Sequence, residues 1–77
     1  MIEEAKTYWL IERQIPYHCE WWVRGSGRGD GTMAHEEWTT DAFKAQRFNE
    51  WGATQHAKDL MAWGVTGDLK ATEHMDI

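Results

Sequence analysis

Tryptophan content is the feature that most constrains how this chain can fold, because six of its 77 residues are Trp. A small sheet covered by one layer of helices can bury about three or four large aromatic side chains. Two tyrosines and two phenylalanines compete for the same space. Some of the tryptophans are therefore predicted to lie on the surface or to be covered by another chain.

Two segments near the N-terminus have the composition of β-strands. Residues 7–12 are rich in β-branched and aromatic side chains, which favour a strand. In residues 17–23 the apolar side chains occupy the odd positions, so the odd face is predicted to pack against the core. On this parity Trp22 lies on the opposite, mostly polar face.

A glycine-rich segment follows the second strand. Residues 25–31 contain four glycines, a composition typical of a loop rather than a strand or a helix. The loop carries Arg28 and Asp30, which we expect to contact a partner. Residues 33–38 predict a third strand that pairs back on the second.

The second half of the chain carries helical signals. Residues 42–48 predict one or two helical turns, and residues 50–63 predict the main helix. The main helix is expected to begin after the N-cap residue Asn49 and to end before Gly64. The alternation in residues 69–77 predicts a final strand that returns to the sheet.

These elements predict a single α+β domain over residues 1–77, in the order β-β-(β)-α-α-β. A small antiparallel sheet of three to four strands carries one or two helices packed on one face. The core is expected between the sheet and the main helix, and its predicted members are Leu10, Ala57, Leu60 and Met61.

The sequence carries no motif for catalysis, metal binding or cofactor binding. The histidines and the cysteine show none of the spacings of a zinc site. Glu36 and Glu37 are adjacent and would face opposite sides of a strand, so they do not form a carboxylate pair. The glycine-rich segment lacks the Lys-Ser or Lys-Thr of a phosphate-binding loop. We therefore predict no enzyme activity, no metal and no cofactor.

Charge, hydropathy and cysteine content restrict the partner and the compartment. The net charge is −5 and no basic stripe is present, which disfavours direct binding to nucleic acid. No apolar run is long enough to span a membrane, and the N-terminus lacks the pattern of a signal peptide. Cys19, the single cysteine, is predicted to be a buried packing residue in a reducing compartment, the cytoplasm.

A short motif links the two halves of the chain. Residues 38–48 read W-T-x-D-x-x-x-A-x-x-F, preceded by aromatic strands and followed by a helix and a closing strand. This pattern resembles a group of small α+β proteins of phages and prophages, and proteins of this size and origin resemble anti-CRISPR inhibitors. The resemblance implies a protein in the host-cell cytoplasm that binds a host protein or ribonucleoprotein complex and blocks it sterically.

The residues expected to bind this partner are tryptophans that leave the apolar faces, together with nearby charged side chains. At least one of the tryptophans is predicted to be exposed in the isolated chain, and acidic side chains are predicted to frame it. The predicted binding residues are Trp9, Trp22, Trp51, Glu20, Glu36, Glu37, Arg28 and Asp30. The alternative is a phage structural or accessory protein whose surplus aromatic side chains build a homo-oligomer.

Overall fold

A computed structural model describes residues 6–76, and these residues form four antiparallel strands, one 3₁₀ turn and one α-helix. The strands follow the order β3-β2-β1-β4 across the sheet. The elements are β1 Lys6–Ile15, β2 His18–Gly27, β3 Met33–Thr39, α1 Glu50–Ala62 and β4 Asp68–Asp76. The predicted α+β class is confirmed, and so is the antiparallel sheet. Within residues 6–76, no helix is long and apolar enough to cross a lipid bilayer.

The predicted order of elements is met only roughly, because the first helical segment is shorter than expected. It is a single 3₁₀-helical turn, Ala42–Lys44, in which Asp41 accepts a hydrogen bond from the backbone N–H of Phe43 at 3.0 Å. Ala45 then adopts an extended backbone conformation. The helix stops here because the following residues pair with the sheet instead.

The sheet divides into two arms beyond the pair formed by Glu12 and Trp21, where the pairing of β1 with β2 ends. β1 continues beside β4, and we call residues 6–11 and 71–76 the β1–β4 arm. β2 continues beside β3, and we call residues 22–27 and 33–38 the β2–β3 arm.

Residues 46–48 lie between the two arms and tie them together through the backbone. The N–H groups of Trp9 and Phe48 each donate to the carbonyl of the other residue, at 2.8 and 2.9 Å. On the other side, the N–H of Gln46 donates to the carbonyl of Trp22 at 3.0 Å. The gap between the arms is therefore filled by main chain that is hydrogen-bonded to both of them.

Local capping chemistry sets both ends of α1, as the sequence predicts. The Asn49 side chain accepts a hydrogen bond from the N–H of Gly52 at 2.6 Å. At the other end Gly64 has a φ of 90°, and the N–H of Val65 donates to the carbonyl of Leu60 at 3.0 Å. This is a Schellman-type ending, which requires a left-handed residue after the helix.

The core lies between α1 and the sheet, with side chains from β1, β2 and β4. Its buried members are Ile11, Trp22, Ala53, Ala57, Leu60, Val65 and Leu69. The predictions for Ala57 and Leu60 are confirmed. The prediction for Met61 is wrong, because it lies at the edge of the helical stripe and is 43% exposed. Leu10 is fully buried but outside this cluster, because its neighbour Ile11 occupies the strand face toward α1.

The predicted orientation of β2 is wrong. Trp22 is only 2% exposed and packs edge-on against Trp38, with ring centroids 5.4 Å apart. Trp21 lies on the opposite face, where its ring meets His74 at 5.8 Å. Parity could not assign the core face, because both faces of this strand carry aromatic contacts. Cys19, which shares the odd positions with Trp21, is only partly buried.

Three further boundaries differ slightly from the sequence analysis. The third strand is confirmed over Met33–Thr39. The final strand is confirmed over Asp68–Asp76, and Ile77 lies outside the described residues. β2 extends through Gly27, so the first part of the predicted glycine loop is strand and only residues 28–32 connect the two strands.

Candidate functional site

The β2–β3 arm and the C-terminal half of α1 enclose a groove of about 590 Å³. Trp22, Met33, His56 and Trp63 form its apolar part, and Arg24, Gln46, Thr32 and four glycines complete it. The groove is closed at one point by a hydrogen bond from the N–H of Met33 to the carbonyl of Trp63 at 3.2 Å. A volume of this size lies within the range of about 300–1,000 Å³ found for small-ligand sites.

Gly25 allows the arm to approach the aromatic part of this groove. A Cβ atom at this position would lie 2.4 Å from the Trp22 ring, 2.5 Å from the Met33 side chain and 2.7 Å from the carbonyl oxygen of His35. Real Cβ atoms do not come so close to other heavy atoms, and the His35 carbonyl is backbone that cannot rotate away. Glycine is therefore required here for packing, as is common where a strand is approached closely.

Three aromatic rings surround the imidazole of His56, which is half-buried on α1. The ring centroids of Phe48, Trp22 and Trp63 lie 5.5, 5.8 and 6.2 Å from it. The sequence analysis missed His56 as a site residue. The available signal was its spacing of seven residues from Trp63, which places both side chains on one side of the helix.

Arg13 is the centre of an ion-pair network beside the groove. Its guanidinium donates to Glu20 through Nε at 2.7 Å and to Glu36 through Nη1 at 3.0 Å. It also lies over the Trp38 ring, with 4.1 Å from Cζ to the ring centroid. The Trp38 indole N–H donates to the same Glu36 oxygen at 3.0 Å. This network fixes the position of both carboxylates.

The three acidic residues predicted to frame a binding surface are all paired with arginine. Glu20 and Glu36 bind Arg13, and the Glu20 side chain is only 17% exposed. Glu37 accepts a hydrogen bond from Nε of Arg24 at 2.9 Å. Their charges are therefore largely balanced inside the chain.

The predicted binding tryptophans separate into three environments. Trp51 is 75% exposed, which confirms that at least one of the three is on the surface. Trp9 is half-buried and packs against the core, and Trp22 is part of the core. The proposal that Trp22 offers an exposed anchor is therefore wrong. Phe43, which the sequence analysis did not select, is 78% exposed.

The loop between β2 and β3 is organised by its own side chains. Asp30 accepts hydrogen bonds from the Thr32 hydroxyl at 2.6 Å and from the Thr32 N–H at 3.0 Å. The hydroxyl bond, reinforced by the backbone bond, holds the pKa of Asp30 below its usual value. Arg28 donates to the carbonyl of Met33. Both predicted loop residues are exposed, so they are free to meet a partner.

Tyr17 occupies the turn between β1 and β2 and is fully exposed. Its backbone φ of 75° is positive, a conformation that residues other than glycine rarely adopt. Proline followed by a residue with positive φ is the pattern of a type II turn. The turn thus holds an aromatic side chain outward at one end of the sheet.

Metal-binding geometry and similarity to known proteins both bear on the chemistry of the site. Among residues 6–76, no group of three His, Cys, Asp or Glu side chains is arranged to hold a metal ion. Comparisons with protein-family models, with curated proteins and with solved structures find no significant match.

Proposed function

We propose that this protein acts by binding another protein and blocking it, without catalysing a reaction. In its most concrete form, it is a phage-derived inhibitor of a host defence complex of the anti-CRISPR type. The observation that carries this proposal is the exposure of two large aromatic side chains, Phe43 and Trp51, close together in the sequence. Aromatic side chains are enriched at protein interfaces, and Trp is among the residues that contribute most to binding.

Hydrogen bonds hold the backbone around these two side chains. Phe43 and Trp51 flank residues 46–48, whose backbone is bonded to both arms of the sheet. Asn49 caps the helix that carries Trp51. An anchor held by a fixed backbone loses little conformational freedom on binding, which favours affinity.

The charge of the chain bears on the kind of partner. A net charge of −5 favours association with a basic protein surface, such as one that normally holds nucleic acid. With Glu20, Glu36 and Glu37 paired internally, this attraction comes from the chain as a whole rather than from those carboxylates alone. It should increase the association rate and weaken with salt.

The test is protection of a targeted plasmid or phage in bacteria that carry an active CRISPR system, repeated with several system types. The wild-type chain should protect, and Trp51→Ala should lose protection because removal of an anchor weakens binding by about 2 kcal/mol or more. Tyr17→Ala is the matched control, since it removes an exposed aromatic side chain at a distant turn. Absence of protection by the wild-type chain in every system would contradict the proposal.

Self-assembly is the second candidate, because the same exposed aromatic side chains can bury each other in a homo-oligomer. Light scattering coupled to size-exclusion chromatography separates the two functions. A monomer across a range of concentrations favours the inhibitor. A stable oligomer that Trp51→Ala dissociates favours a structural or accessory protein.

A further inference from the structure

We propose that the groove between the β2–β3 arm and α1 binds a nucleoside monophosphate. This ligand combines a flat aromatic ring, a hydrogen-bonding edge and an anion. The groove offers a matching group for each of these three features. The site is separate from the exposed anchors Phe43 and Trp51, neither of which lines it.

The aromatic part of the groove suits a base. Trp63 lines it and is 38% exposed, so part of its ring is open to a ligand. His56 lies beside it, and Trp22 closes the groove from below. Flat rings of this kind stack on nucleobases with little regard to base identity. The side-chain amide of Gln46, which also lines the groove, has the donor and acceptor needed to read a base edge.

The lining of the groove carries a cation and no carboxylate, and the Glu37 that pairs with this cation lies outside the lining. The lining residues of the groove include the cation Arg24 and no Asp or Glu, although the chain carries a net charge of −5. Arg24 is 75% exposed at its side chain and is bonded to Glu37 through Nε. Within residues 6–76, the bond from Nε to Glu37 is the hydrogen bond that the Arg24 guanidinium makes. Both Nη groups of Arg24 are therefore available to a phosphate. Two parallel bonds from an arginine suit phosphate geometry.

The glycines along the arm complete the site. Gly27, Gly29 and Gly31 line the groove without a side chain, so a ligand can approach the main chain closely. The groove of about 590 Å³ falls within the range of about 300–1,000 Å³ for small-ligand sites.

The first experiment is titration of the full chain with AMP, followed by intrinsic tryptophan fluorescence and by amide chemical shifts. AMP should change the fluorescence saturably, and Trp63→Phe should remove most of that change. Trp51→Phe is the control, because it removes an indole outside the groove. AMP should change the fluorescence of this variant as much as that of the wild-type chain. No saturable change up to millimolar AMP would overturn the proposal.

Two charge variants test the role of Arg24 with opposite signs. Arg24→Gln should weaken AMP binding tenfold or more, whereas Glu37→Gln should strengthen it several-fold, because it releases Nε of the same guanidinium. Lys58→Gln removes a charge from an exposed position on α1 and should change binding less than twofold. If Arg24→Gln and Lys58→Gln behave alike, the anion does not bind at Arg24 and the proposal fails.

Two further ligands separate the nucleotide from its alternatives. Adenosine should bind at least tenfold more weakly than AMP, since it lacks the anion. N-acetyl-tryptophan stands for the aromatic C-terminus of a peptide, and it should also bind more weakly than AMP. Tighter binding of N-acetyl-tryptophan would overturn the nucleotide and identify the groove as a peptide site. Near-ultraviolet circular dichroism of each variant confirms that the aromatic packing is intact.

Discussion

The two arms of the sheet are stabilised by different chemistry. The β1–β4 arm lies under α1, which packs against β4 and β1 through fully buried aliphatic side chains such as Ile11 and Leu60. The β2–β3 arm is held by aromatic edges, by a glycine contact and by backbone bonds to residues 46–48 and to Trp63. The β1–β4 arm thus supplies aliphatic side chains to the core, whereas the β2–β3 arm contributes Trp22 to that core and also forms a wall of the groove.

The difference teaches where stability and binding reside in a chain this small. Aliphatic burial removes apolar area from water and yields most of the folding free energy. The aromatic and ionic contacts of the β2–β3 arm leave a groove and charged groups accessible. Arg13 lies between the two regions, since it contacts Glu36 and Trp38 from the C-terminal part of β1.

The largest expected effect tests the helix-covered arm. Leu60→Ala should lower the free energy of unfolding by about 2–5 kcal/mol, because Leu60 is fully buried and leaves a cavity. Met61→Ala is the matched control. Met61 is next to Leu60 but is 43% exposed, so its replacement should lower the free energy of unfolding by far less. Urea denaturation measures both. Equal shifts of the two midpoints would contradict the orientation of α1 described above.

The next effect tests the packing of the β2–β3 arm. Gly25→Ala should destabilise the chain by about 1–3 kcal/mol, because the new methyl group overlaps the Trp22 ring and the His35 carbonyl. Gly27→Ala is the control, since a Cβ there meets no atom closer than 3.5 Å. Amide hydrogen exchange should show the loss of protection concentrated in β2 and β3. A tolerated Gly25→Ala would mean that this arm is loosely packed.

A change at the junction of the two arms should have an effect of comparable size. Arg13→Gln should cost about 1–3 kcal/mol, because it leaves the Glu20 carboxylate, only 17% exposed, without its counter-ion. Arg24→Gln breaks an exposed pair with Glu37 and should stay within about 0.5 kcal/mol of the wild-type chain. Urea midpoints at low and high salt measure the difference. If Arg24→Gln lowers the free energy of unfolding as much as Arg13→Gln does, the Arg13 network has no special structural role.

The smallest effect concerns the loop that ends the β2–β3 arm. Thr32→Val should raise the pKa of Asp30 toward its usual value, because it removes the hydroxyl bond and keeps the backbone bond. The carboxylate stabilises the fold at pH values above the unfolded pKa, and this contribution is lost as the pH falls through the lowered folded pKa. The variant should therefore lose less stability on acidification. Titration by NMR measures the pKa, with Thr54→Val on α1 as the control.

Features that depend on neighbouring residues could be predicted from the sequence. Asn49 and Gly64 set the helix ends through local hydrogen bonds and a local backbone conformation, and both predictions are confirmed. The sequence predicts that at least one of Trp9, Trp22 and Trp51 is exposed, and Trp51, which leaves the apolar stripe of the same helix, is 75% exposed. The α+β class and the strand positions were accessible for the same reason.

Features that depend on pairing between distant parts of the chain could not be predicted from the sequence. The orientation of β2 is set by its separation from β1 after Trp21 and by the insertion of residues 46–48, which no local pattern reveals. The groove was missed because its walls come from β2, β3, the loop and α1. Glycines occupy every second position from Gly25 to Gly31, a weak sign that another part of the chain approaches this strand closely. The same composition is also typical of a flexible loop.

The pairing of β1 with β4 joins opposite ends of the described chain and has a consequence for synthesis. Ile11 reaches its full set of core neighbours only after Leu69 has left the ribosome, because β4 follows β1 and α1 along the chain. Contacts between such distant residues form slowly, and unpaired strands with exposed apolar side chains aggregate readily in the meantime. A chain shortened before β4 would therefore emerge without a closed core, and a cell would treat it as misfolded rather than as a smaller version of the same protein.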